Sequence, residues 1–146
     1  MRILLVVLLG TVCLASQVVR AADLKTDIEA AYGAWNEAFN KGDAAGLASF
    51  YTDDATFLPP THEVITGPAG IEQFFAGLFD AGVSNHGLEV ITVKGDADAD
   101  LVYSAANWTA TGKAEDGSEQ SVGGIAVHGF ERQPDGSLKL NLHTFN

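Results

Sequence analysis

The stretch from Trp35 to Pro60, WNEAFNKGDAAGLASFYTDDATFLPP, restricts the possible folds more than any other part of the chain. Trp35 and Phe39 are four residues apart, so on a helix they share one face. Lys41 suits a helix C-terminus through the dipole, and Gly42 supplies the left-handed residue that ends it. Asp43 is then placed to cap a short second helix carrying Leu47, Phe50 and Tyr51. Asp53-Asp54 reads as a turn pair, and Ala55 to Leu58 as a short strand. Pro59-Pro60 closes that strand, because proline has no N–H to give a ladder. Helix, glycine break, short helix, turn and strand follow one another within 26 residues.

Ahead of this stretch, Met1-Arg2 forms a minimal positive start, and Ile3 to Leu14 is an apolar run broken only by Gly10 and Thr11. Val19-Arg20-Ala21 offers small residues suited to cleavage, so residues 1–21 read as a secretory signal peptide. The apolar run is shorter than the roughly 20 residues a membrane span requires. The expected mature chain, residues 22–146, is a single domain in the periplasm or outside the cell. Loss of Arg2 and Arg20 leaves six of the eight basic residues against 19 acidic ones, a formal charge of −13. That balance argues against nucleic acid as a partner, since phosphate contacts need Lys and Arg, and disfavours anionic membranes. The one cysteine, Cys13, lies in the leader, so the mature domain has no disulfide or thiol chemistry.

Downstream and upstream of the central stretch the periodicities separate. Thr26-x-x-Glu29 fits a capping box opening the first helix, with Ile28, Ala31, Tyr32, Trp35, Ala38 and Phe39 as its apolar stripe. After the loop Thr61-His62-Glu63, Val64 to Thr66 reads as a short strand. Gly67-Pro68 starts a third helix whose buried face is Ile71, Phe74, Phe75, Leu78 and Phe79, ending at Gly82. From there the alternation has period two. Leu88–Lys94, Leu101–Thr111, Gln120–Arg132 and Leu138–Phe145 are predicted as strands of a meander, with a bulge or bend at Gly123-Gly124. Helices first and strands after predict an α+β fold with the helices packed on one sheet face.

Taken together, AFNKGDAAGLASFYTDDATFLPP and the later TGPAGIEQFF resemble the nuclear transport factor two-like superfamily, in its SnoaL-like and ketosteroid-isomerase-like branch. The resemblance covers Asp23 to Asn146. It implies a cone-shaped, strongly curved mixed sheet around a long helix, an apolar cavity at the wide end, and a homodimer formed through the outer sheet face. It also implies where an isomerase would keep its machinery, and this chain departs from that pattern. Pro59 stands at the position of the carboxylate base, Trp35 at that of the first-helix tyrosine, and His128 at that of the late-strand aspartic acid.

The remaining candidates for chemistry are histidines. His128, with His62 at the expected cavity mouth, reads either as a general acid/base in an apolar pocket or, respectively, as a hydrogen-bonded core residue and an exposed loop residue. His143 on the last strand reads in the same two ways. A metal site would need His62, Glu63, His128 and His143 to converge from separate elements, and no local pair such as H-x-H supports one. No metal and no cofactor are expected. The acidic run Asp96, Asp98, Asp100 lacks the glycine and distal glutamate of a calcium loop and reads as a solvated turn. Asn107-Trp108-Thr109 matches the glycosylation sequon but lies within a strand, where it is expected to stay unmodified.

The expected ligand pocket comprises Trp35, Tyr51, Phe57, Pro59, Phe74, Trp108 and His128. With no base in the expected place, the sequence favours an exported domain that binds a small apolar molecule. An isomerase- or cyclase-type enzyme using His128 is the second reading, and a structural dimerisation module the third.

Overall fold

A computed structural model describes the backbone of residues 10–146 and the side chains from Leu24 onward. The leader expected over residues 1–21 therefore lies outside the residues whose side chains are described. The elements run α1 (Gly10–Asn40), α2 (Ala44–Ala48), β1 (Tyr51–Leu58), β2 (Ile65–Thr66), α3 (Gly67–Asp80), β3 (Ser84–Lys94), β4 (Leu101–Lys113), β5 (Glu119–Arg132) and β6 (Leu138–Phe145). The fold is α+β, as the sequence predicts. No helix among the described residues is long and apolar enough to cross a membrane.

Six strands form one curved sheet in the order β2-β1-β6-β5-β4-β3. The long strands pair antiparallel as a meander, and β6 then lies parallel to β1, so the sheet is mixed. The helices pack on its concave side. Leu24, Ile28, Tyr32, Trp35 and Phe39 come from successive turns of α1 and are all buried. Ile71 and Phe75 of α3 meet them, together with Phe57 from β1 and Val102, Ala106 and Phe130 from the sheet. Each large apolar side chain so enclosed stabilises the fold by about 1.5–3 kcal/mol.

The break after α1 is built as its residues dictate. Gly42 takes φ 70°, a conformation that costs glycine little, and the Asp43 carboxylate accepts from Gly46 N–H at 2.8 Å to cap α2.

Several local expectations are corrected. Thr26 lies inside α1, because the helix continues upstream and Leu24 extends its buried stripe by a turn. Asp53-Asp54 is not a turn but the exposed middle of β1. The register against β6 shifts between Tyr51 and Thr56, so the pair sits in an irregular stretch that absorbs extra residues. Gly123-Gly124 forms no bulge against β4, where the register is unbroken. A Cβ on Gly123 would lie 2.5 Å from the Trp108 carbonyl oxygen, and one on Gly124 would lie 2.3 Å from the Asn146 oxygen. The glycines allow close backbone approach, and the irregularity beside β5 falls instead opposite Gly129 and Phe130, where β6 carries the extra residue Asn141.

On the convex face of the sheet, Ile91, Leu101, Tyr103, Ile125 and Val127 are large apolar side chains left exposed.

Candidate functional site

Between α1, α3 and the concave sheet face lies a cavity of about 280 Å³. Trp35 and Phe39 supply one wall from α1, and Phe74, Phe75 and Leu78 another from α3. His86 and Leu88 of β3, Trp108 of β4, His128 of β5, and His143 and Phe145 of β6 complete the sheet side. Pro60 and Thr61 stand in the lining from the β1–β2 loop. Among the described residues, no carboxylate, lysine or arginine lines it.

Of the residues singled out in the sequence, Trp35, Phe74, Trp108 and His128 are in this wall. Tyr51 and Phe57 are buried one layer behind it, with Phe57 stacked on Phe75 at a centroid distance of 5.6 Å and tilted against His143 at 4.8 Å. Pro59 is buried outside the lining, and its neighbour Pro60 takes that place. His62 does not join His128. It is exposed at the loop apex with φ 64°, and its side chain is not part of the wall.

The partner of His128 is His143. The two face each other across β5 and β6, with ring centroids 4.5 Å apart. Tyr51 Oη lies 2.7 Å from His143 Nδ1, and Tyr32 Oη lies 2.7 Å from His128 Nδ1 and 2.5 Å from Ser104 Oγ. The third cavity histidine, His86, sits 2.9 Å from Asn36 Oδ1 through Nδ1 and packs between Trp35 and Phe39. The Asn40 side chain bonds both backbone groups of His86, at 2.8 and 3.0 Å, which fixes the start of β3 against α1.

His86, Tyr32 and Ser104 escape the sequence reading as site residues. Tyr32 is one more aromatic in a helical stripe. Ser104 is a small polar residue within β4. His86 carries a usable signal, since it precedes Leu88 by two residues and so shares its strand face, but the segment Ser84-Asn85-His86-Gly87 looks like loop.

Burial decides the electrostatics. It pushes His128 down to about 3, with a smaller contribution from the nearby His86 charge, and His86 down to about 4. His143 lies well below its ordinary value, through burial first and then through His128 and His86. Burial raises Tyr32 to about 12, partly offset by its bond to Ser104, and raises Tyr51 as well. The indole N–H of Trp35 is turned toward the Tyr51 hydroxyl and moderates that rise, although it falls short of full hydrogen-bond geometry. All three imidazoles are therefore neutral near pH 7. Such rings are weak bases, and tyrosines raised this far are weak acids. The site can donate and accept hydrogen bonds within an apolar wall.

Among the described residues no group of three or more His, Cys, Asp or Glu side chains is arranged to hold a metal ion.

Comparison with known proteins agrees with this architecture. Among solved structures, Aln2 from a Streptomyces species superposes with a TM-score of 0.72 at 22% identity, covering 85% of this chain and 90% of that one. A ketosteroid isomerase-like protein from Erwinia carotovora gives 0.71 at 20% identity, covering 82% and 92%. A protein from Novosphingobium aromaticivorans described as NTF2-like with a cystatin-like fold gives 0.71 at 17%, covering 95% and 90%. Identities this low speak to the fold alone. No curated protein matches the chain. The SnoaL-like domain family matches residues 32–139, which is most of the chain, and this protein belongs to that family.

Proposed function

We propose that this domain binds a small, neutral, largely apolar molecule in the cavity between α1, α3 and the sheet, without converting it. The observation that supports this reading is a wall made of aromatic and aliphatic side chains with no ionisable group other than neutral histidines. At about 280 Å³ the space is roughly twice the ~150 Å³ apolar cavity that takes up benzene, which suits a compound of about two fused rings. Catalysis at His128 is the weaker reading, because a ring held at about 3 gives little driving force for proton abstraction near neutrality.

Tetralin, a two-ring hydrocarbon, tests the proposal by calorimetry and thermal shift. At a hundredfold excess over its Kd a ligand adds about 2.7 kcal/mol, which raises Tm by several degrees. Absence of both heat and shift across two-ring compounds would remove the binding reading. Native mass spectrometry of protein purified from its own host then identifies the compound carried. The apolar leader pattern supports export, which N-terminal sequencing of the secreted or periplasmic form checks. The exposed Ile91, Leu101, Tyr103, Ile125 and Val127 support pairing of two copies through the outer sheet face. Sedimentation of a Val127→Lys variant, expected to run as a monomer, checks that.

A further inference from the structure

We infer that the cavity selects a phenol, which donates its O–H to Nε2 of His86, the proton of that ring being held on Nδ1 by Asn36. The inference rests on the binding reading above and narrows its ligand class.

His86 is gripped from α1 by two asparagines one turn apart. Asn40 accepts from the His86 backbone N–H through Oδ1 at 2.8 Å and donates to its carbonyl oxygen through Nδ2 at 3.0 Å. Asn36, four residues earlier on the same helix face, sets its Oδ1 2.9 Å from Nδ1 of the ring. The ring packs between Trp35 and Phe39, at centroid distances of 4.8 and 4.6 Å. Backbone, ring plane and one nitrogen are thus assigned before any ligand enters.

The direction of the Asn36 bond follows from counting protons. Burial keeps the ring neutral near pH 7, so it has one proton for two nitrogens. Asn36 Oδ1 can only accept, and it takes that proton from Nδ1. An amide turned the other way would donate to Nδ1 and leave the ring proton on Nε2, which has no protein acceptor among the described residues. An N–H left without an acceptor against apolar side chains is costly, and a bare lone pair is the better tolerated of the two. Nε2 is therefore an acceptor, on a ring that forms part of the cavity wall.

This acceptor stands apart from His128 and His143. It lies on β3, with β4 between it and the strands that carry them. A hydrocarbon leaves its lone pair unpaired, and an ether or ketone oxygen sets a second acceptor against it. A protonated amine would donate, but it would have to shed its water against a wall that, among the described residues, offers no carboxylate. A neutral O–H is the complement. A phenol is a stronger donor than an alcohol, and its ring suits a wall built from Trp35, Phe39, Phe74 and Phe75.

The test measures three compounds on one frame by calorimetry at pH 7.5: tetralin, its ring-hydroxylated phenol, and the methyl ether of that phenol. The ether keeps the oxygen but cannot donate. The wild-type protein is expected to bind the phenol about fivefold more tightly than the ether, the worth of one net hydrogen bond. His86→Phe, which has no acceptor, is expected to abolish that ratio. Long-range ¹H–¹⁵N spectra of the unliganded wild type are expected to show the Nδ1–H form of His86, and Asn36→Ala to move it toward the Nε2–H form. An ether bound as tightly as the phenol, a ratio that survives His86→Phe, or an Nε2–H ring in the wild type overturns this inference and leaves the binding reading standing. Failure of all three compounds to bind overturns both.

Discussion

His128 and His143 occupy directly paired positions on β5 and β6, their rings 4.5 Å apart, and each is tied at Nδ1 to a tyrosine on a different element. Tyr32 reaches across from α1, and Tyr51 from the start of β1. The pair is thereby held neutral, close together and oriented, in a wall that is otherwise apolar.

That neutrality makes stability depend on pH with a definite sign. Burial lowers both imidazoles in the folded state, whereas in the unfolded chain they titrate near 6.5. Above 6.5 neither state binds these protons and stability is fully present. As pH falls below 6.5 the unfolded chain takes up protons that the folded one refuses, so stability declines toward the folded values. The expected slope is about 1.4 kcal/mol per pH unit for each buried histidine. Urea unfolding between pH 7.5 and 5, above most carboxylate titration, measures it. The double variant with phenylalanine at 128 and 143 should lose their share of the slope and keep that of His86, which burial lowers to about 4.

Phe57 belongs to the layer behind the wall, fully buried between Phe74, Phe75 and His143. Phe57→Ala should cost about 3–5 kcal/mol in denaturant unfolding, because it removes apolar contact and leaves a void beside the existing space.

Ala110 is buried and lines the cavity itself. Ala110→Leu should occupy part of the space and abolish tetralin uptake, while changing stability by no more than about 1–3 kcal/mol. Calorimetric binding together with the unfolding midpoint separates the two effects. Undiminished binding would mean that tetralin sits elsewhere.

Gly124 packs its α-carbon against the Asn146 backbone and the Trp108 indole nitrogen. The last residue also accepts from Trp108 Nε1–H at 3.2 Å and from Ile125 N–H at 2.8 Å, which anchors the end of β6. Gly124→Ala should push that end away, with a loss of about 1–3 kcal/mol and faster amide exchange at residues 144–146.

Asp43→Ala should remove the single side-chain cap of α2 at a cost of about 1 kcal/mol, read from the urea midpoint. Cavity binding should be unaffected, since α2 does not reach it.

The Asp43 cap, the Gly42 break, the Gly67-Pro68 start of α3 and the alternating strands were all legible in the sequence. Each is decided by residues within a few positions of one another, through dihedral preference, capping or hydrophobic period. The buried stripe of α1 was legible for the same reason. What the tertiary structure decided was which distant residues meet. The parallel pairing of β6 with β1 brings Tyr51 to His143, 92 residues apart, and the curvature of the sheet brings Ser104 and His128 to Tyr32. Local patterning carries no record of such contacts, so His143 looked like one of two alternatives, His86 like loop, and His62 like a partner for His128. A strand's period states which residues share a face. Only the assembled sheet states what that face looks onto, because the register shifts between Tyr51 and Thr56 in β1 and at Asn141 in β6 re-aim the side chains that follow them.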